Sequence, residues 1–307
     1  MRRLSRPAAL LVACTWALLV FGASVRVHGA GLACPDWPLC FGEIVPPLDF
    51  SVGLEWGHRV VAGLISLGFL GLGAAVFQRR AAVGRGPLVL WFVAAIALGV
   101  QIVLGGLTVL ELLAEWTVTS HLLTGNAFCA LLLLLALSLR DREVSVSRAA
   151  VGATQRIAAV VLAALVVLQL GLGGFVASSF AGLACGDWPG CNGGGWFPTF
   201  SGLVGLQVTH RLVAYLLLGA AGLQVVLSWR QGRRLTAAGV VLGAVLFQAA
   251  VGVANVWLRL PVEVTLLHSF GAAGVALSTT WLVREVWVSP VAASAGQGAA
   301  ALAVEGA

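Results

Sequence analysis

Eight apolar runs, each long enough to cross a bilayer as a helix, leave this chain few ways to fold. They fall at about 8–27, 52–78, 87–109, 116–139, 156–178, 201–229, 235–258 and 263–287. In hydrocarbon a backbone must satisfy its own hydrogen bonds, so runs of this length and spacing predict helices. Of the 307 residues 60% are hydrophobic and 10% charged, too few ionic side chains to coat a soluble surface. The expectation is an all-α integral membrane protein with no soluble domain.

An internal repeat divides the eight runs into two sets of four. GLACPDWPLC at 31–40 returns as GLACGDWPGC at 182–191, identical at eight of ten positions. A His-Arg pair follows each copy, His58-Arg59 and His210-Arg211, and a further histidine completes each half, His121 and His268. Those two lie 20 residues after Gln101 and Gln248 respectively. Tandem duplication predicts two pseudo-symmetric four-helix bundles, residues 1–147 and 148–288, followed by an Ala- and Gly-rich cytoplasmic tail, 289–307, expected to be disordered.

All 18 basic side chains are arginines. Fourteen fall on one side of the predicted spans, leaving Arg26, Arg59, Arg211 and Arg259 on the other, which places both termini in the cytoplasm. The pI of about 9.5 then reflects topology and anionic lipid; no basic tract or aromatic platform suggests nucleic acid. The opening MRRLSR and its apolar run look superficially like a signal peptide, but no clear cleavage pattern follows, and they are read as a retained first helix.

The two long connections, about 28–51 and 179–200, face the oxidising side in this topology. Each carries one cysteine pair, predicting disulfides Cys34–Cys40 and Cys185–Cys191. Such a bond either staples a Gly- and Pro-rich loop or exchanges electrons with a thiol partner. No histidine is spaced beside either pair to make a zinc site. Cys14 and Cys129 have no counterpart in the repeat and are expected to be small buried apolar residues.

One histidine on an apolar helix ordinarily hydrogen-bonds to a neighbour. Four at matched depth near the outer leaflet are expensive to keep, and facing pairs of imidazoles suit the two axial positions of a haem iron. The spans are too poor in Asp and Glu for a non-haem diiron site. Arg59 and Arg211 either snorkel to headgroups or pair with haem propionates. The halves differ at Glu55, matched by Gln207, and at Arg26, matched by Ala177. Only the first half thus has an acid three residues before its histidine, as an ion-pair residue or as the acid-base group of a reaction site. His28, unmatched, is expected to be an exposed loop residue.

RVHGAGLACPDWPLCFG, EWGHR and TSHLLTGN, in that order, resemble the haem A synthases of bacterial and mitochondrial membranes, and the resemblance covers all eight spans. It implies a plasma-membrane enzyme of a bacterium that oxidises the C8 methyl of haem O to a formyl group by successive hydroxylations. It further implies that His58 and His121 ligate the substrate haem, with Arg59 and Arg26 as candidate propionate contacts and Glu55 as the catalytic carboxylate. His210, His268 and Arg211 would bind a haem b cofactor. The expected partners are haem O, the lipid bilayer, a haem O synthase and a thiol or quinone redox partner. A dihaem b-type electron-transfer protein would use the same four histidines but has no use for Glu55 in one half only. A transporter would keep its polar groups at mid-membrane and not near one face.

Overall fold

The computed structural model describes residues 4–143, 151–231 and 235–287. The expected tail at 289–307 lies outside them, as do Arg2, Arg3, Arg148, Arg233 and Arg234. Each predicted run is a helix: α1 (Ser5–Val27), α2 (Phe50–Gln78), then after the one-turn α3 (Arg80–Val83), α4 (Arg85–Leu110), α5 (Glu115–Glu143), α6 (Ala153–Ser178), α7 (Gly202–Arg230), α8 (Thr236–Trp257) and α9 (Val262–Trp287). Apart from α3, all are long and apolar enough to cross a membrane. The helices α2, α5 and α7 have 29 residues each. That is about 43 Å at ~1.5 Å per residue, against roughly 30 Å of hydrocarbon, so their ends reach into the interfacial layers or the helices tilt.

Packing follows the chain order. The helices α1, α2, α4 and α5 surround one apolar core, and α6 to α9 surround another. In the first, Phe69 stacks on Trp91 with centroids 5.5 Å apart and meets Phe128 edge-on at 5.4 Å. Gly73 makes room for the Trp91 indole, which a Cβ at that position would overlap. The two sets meet along α1 and α5 on one side and α6 and α9 on the other. At this seam Trp16 stacks on Phe270 at 4.5 Å and its Nε1–H donates to the Phe270 carbonyl at 3.1 Å. Thr119 fits against Gly174, and Arg284 forms an ion pair with Asp141.

Cys129 is buried as expected, but Cys14 is exposed on α1, a correction to the sequence reading. A helix face turned to lipid is as apolar as one turned inward, so residue type alone does not separate the two. His28 is exposed at the end of α1, where Nδ1–H donates to the Ser24 carbonyl at 2.8 Å.

The two connections carrying the cysteine pairs lie at one end of the bundle, and the short turns after α4 and α8 share that end. Leu112 and Leu113 have φ of 51° and 61°, matched by Arg259 and Leu260 at 63° and 60°. Left-handed backbone is costly for side chains of this kind. It is fixed in both turns by a 2.8 Å bond, Leu113 N–H to Thr108 O and Leu260 N–H to Asn255 O. Leu113 packs on Gly31 and Leu260 on Gly182, the first residue of each loop repeat. Each strained turn therefore braces the loop of its own half.

Candidate functional site

Both disulfides are closed, with Cα atoms 4.8 Å apart for Cys34–Cys40 and 4.6 Å for Cys185–Cys191. The repeated aspartate orders each loop: Asp36 accepts from the N–H groups of Phe41 and Gly42 at 2.7 and 2.8 Å, and Asp187 from that of Gly193 at 2.9 Å. With all four sulfurs paired, thiol labelling of unreduced protein should modify none of Cys34, Cys40, Cys185 and Cys191. Mass spectrometry finding them free, in material isolated with thiols trapped, would contradict this.

The arginines that follow the histidines hold these loops down. Arg59 donates from Nη1 to the carbonyls of Asp36 and Leu39 at 2.8 and 2.6 Å, and from Nη2 to Glu55 Oε1 at 2.6 Å. Arg211 donates to the carbonyls of Gly190 and Cys185, both at 2.8 Å. Glu55 is only 5% exposed, and its other oxygen accepts the Cys34 N–H at 2.8 Å, so both carboxylate oxygens are engaged and the burial penalty is offset. Gln207, equally buried, has no charge to offer Arg211 and instead donates to Gly182 O at 3.2 Å. An acceptor in one half and a donor in the other anchor the same loop. Only the first leaves an ionisable group one helical turn from a histidine.

All four histidines occupy matched register. His58 and His210 lie eight residues after the first residue of α2 and α7; His121 and His268 lie six after the first of α5 and α9. At ~1.5 Å per residue these are depths of about 12 and 9 Å below the loop end, roughly 2–5 Å inside a centred apolar layer. His58 lies within electrostatic range of His121, and His210 of His268, so each half brings its own two near one another.

Every imidazole edge faces a glycine of the preceding helix. A Cβ would lie 3.0 Å from His58 Cε1 if placed on Gly22, 3.1 Å from His121 on Gly105, 3.2 Å from His210 on Gly173 and 3.1 Å from His268 on Gly252. Each of these glycines sits five residues before the last residue of its helix, in α1, α4, α6 and α8. One helical-hairpin pattern therefore occurs four times. The Nδ1 atoms of His58, His121 and His210 are buried without a hydrogen-bond partner. Paired imidazoles in glycine-lined seats could hold a haem iron.

Arg26 ends up at the seam, close enough to His268 to act on it electrostatically. Its guanidinium makes no hydrogen bond or ion pair among the described residues.

Sequence reasoning missed Gln169, whose Nε2 approaches His210 Nε2 at 3.4 Å, and the glycine quartet as a set. The signal was present as Q-x-x-x-G, at Gln101-Gly105, Gln169-Gly173 and Gln248-Gly252. It was masked because glycine is common in membrane helices.

Comparison with known proteins agrees in extent. The family model for the cytochrome oxidase assembly protein COX15-CtaA matches residues 6–52 and 49–280. The haem A synthase of Shewanella oneidensis is 30% identical over 318 residues, covering 89% of this chain and 93% of that protein. That of Symbiobacterium thermophilum is 32% identical over 76% of this chain and 75% of its own length. That of Bacillus licheniformis is 28% identical over 82% and 86%.

Proposed function

Since the chain belongs to the COX15-CtaA family of cytochrome oxidase assembly proteins, we propose that this multi-pass membrane protein is a haem A synthase, oxidising the C8 methyl of haem O to a formyl group. The observation that carries the reading is the pair of imidazoles in each half, each ring seated on a glycine, with an ionisable acid beside only one pair. Residues 1–147 hold the substrate haem O on His58 and His121. Residues 148–288 hold a haem b on His210 and His268. When bound, that haem b supplies a one-electron redox centre.

Conversion of the methyl group to an aldehyde is a four-electron oxidation that replaces two hydrogens by one oxygen; two successive hydroxylations give a gem-diol, which loses water. Glu55 is the residue of this chain placed to take a proton. Arg59 and the Cys34 N–H hold its carboxylate one turn from His58, and the disulfide loop closes over it, limiting water. Arg59 and Arg211 are engaged with loop carbonyls, so their part in binding propionates is to fix the loop that covers them. Arg26, whose guanidinium makes no hydrogen bond or ion pair among the described residues, pairs with a propionate directly. The membrane is the plasma membrane of a bacterium, with both termini cytoplasmic. Haem O arrives through the lipid from a haem O synthase, and a redox partner, a quinone or a thiol protein in its disulfide form, takes the electrons.

The near identity of the two imidazole pairs is also what a dihaem b-type electron-transfer protein would display. Expression with a haem O source, in a host lacking its own haem A synthesis, separates the two: haem A accumulates if the chain is the enzyme and does not if it only carries electrons. The glycine seats give a further expectation. Leucine at Gly252 would drive His268 from its place and should abolish haem retention in the second half, measured by the Soret band of purified protein. Full retention would show that the seat is not needed.

A further inference from the structure

Three of the four histidines meet a glutamine, and the exception lies in the substrate half. Gln101 Nε2 lies 3.2 Å from His121 Nε2, Gln169 Nε2 lies 3.4 Å from His210 Nε2, and Gln248 Nε2 lies 3.2 Å from both ring nitrogens of His268. Each glutamine stands four residues before the glycine that seats the same ring. In α1 that position is Leu18, and no hydrogen bond reaches the His58 ring among the described residues. The amide of Gln248 is oriented independently, since its Nε2 also donates to the His268 carbonyl at 3.0 Å. Gly125 and Gly271, on the histidine helices, give the side chains of Gln101 and Gln248 their room.

An amide N–H donates, so the ring nitrogen it meets presents a lone pair. In His121 and His210 that nitrogen is Nε2, the partner of the buried Nδ1 that finds no acceptor. The same lone pair is what an iron would take.

We propose that Gln101, Gln169 and Gln248 are placeholder donors that occupy the ligating nitrogens of His121, His210 and His268 while no haem is bound, leaving His58 as the uncapped ligand that captures incoming haem first. The proposal rests on the haem reading above. The cofactor pair is capped on both sides, so a haem there must displace two amides. The substrate pair, which empties at every turnover, is capped on one. The glutamines are thus positioning residues that compete with iron, and Gln101 and Gln169 hold the vacated rings of His121 and His210 in their ligating tautomer.

Full-length protein, produced without haem, is titrated with haemin against apomyoglobin as competitor and followed at the Soret band. Gln101→Leu, Gln169→Leu and Gln248→Leu should each tighten haem binding about fivefold at the affected site, the worth of one neutral hydrogen bond relieved. Leu18→Gln should weaken binding at the first site by about the same factor, while Leu18→Met, an apolar control of similar size, should leave it unchanged. Opposite signs are the signature, because damage to the fold weakens binding in every variant. Weaker binding in the Gln→Leu variants would overturn the proposal, making the amides supports of the loaded site. Equal affinity for Leu18→Gln and its parent would overturn the role given to His58. A parent that takes up no low-spin haem would refute the haem reading itself, and this proposal with it.

Discussion

Alanine at His210 or at His268 should strip the protein of tightly bound haem b. On the proposed reading each substitution removes one of the two imidazoles that would hold the haem, and the vacated volume faces a glycine, Gly173 or Gly252, which has no side chain to fill it. The loss of affinity should exceed the roughly 10–100-fold typical when a mere outer-shell partner of a metal ligand is removed. Pyridine haemochrome content and the low-spin spectrum of purified variants report it directly. The matching changes at His58 and His121 should leave haem b in place and abolish product. Unchanged haem content and spectrum in both His210→Ala and His268→Ala would refute the assignment of the second half.

Glutamine at Glu55 should spare the fold and cost turnover. The amide oxygen can still accept the Cys34 N–H, and the second half already closes the same loop over Gln207 at the matched position. The titratable proton is what disappears, along with the charge that Arg59 pairs with. A fall of roughly two orders of magnitude is expected, within the range for a lost general acid or base, with haem O or a hydroxylated intermediate accumulating. The reciprocal Gln207→Glu should leave activity largely intact, because Arg211 can pair with the new carboxylate as Arg59 does in the first half. The ratio of haem A to haem O in cells supplying haem O reads both. Near-normal haem A from Glu55→Gln would return that residue to a purely structural clasp.

The helices were legible because a membrane span has to be both long and apolar, and each observed helix starts and stops within a few residues of its run. The widest difference is at the end of α5, which runs on to Glu143 through Arg140, Asp141 and Arg142. Polar residues continue a helix comfortably once it has left the hydrocarbon. The disulfides and matched histidines were legible from the repeat. What Arg59 and Arg211 hold was not, since a loop folding back over a helix start leaves no periodic trace. Nor was the exposure of Cys14, because lipid and protein interior select the same residue types. Pairing each amide with its ring required three dimensions: Gln169 lies 41 residues from His210, whereas the other two lie 20 from theirs, so the shared Q-x-x-x-G spacing does not say which histidine each glutamine meets.

On the proposed reading one half binds a permanent haem b and the other a haem that is substrate. That reading is tested most directly by extracting the pigments of the purified full-length protein, made in cells that supply haem O, and separating them by chromatography. The expected extract holds haem b together with haem O, its hydroxylated intermediate or haem A. Haem b alone, in two equivalents per chain, would contradict the reading.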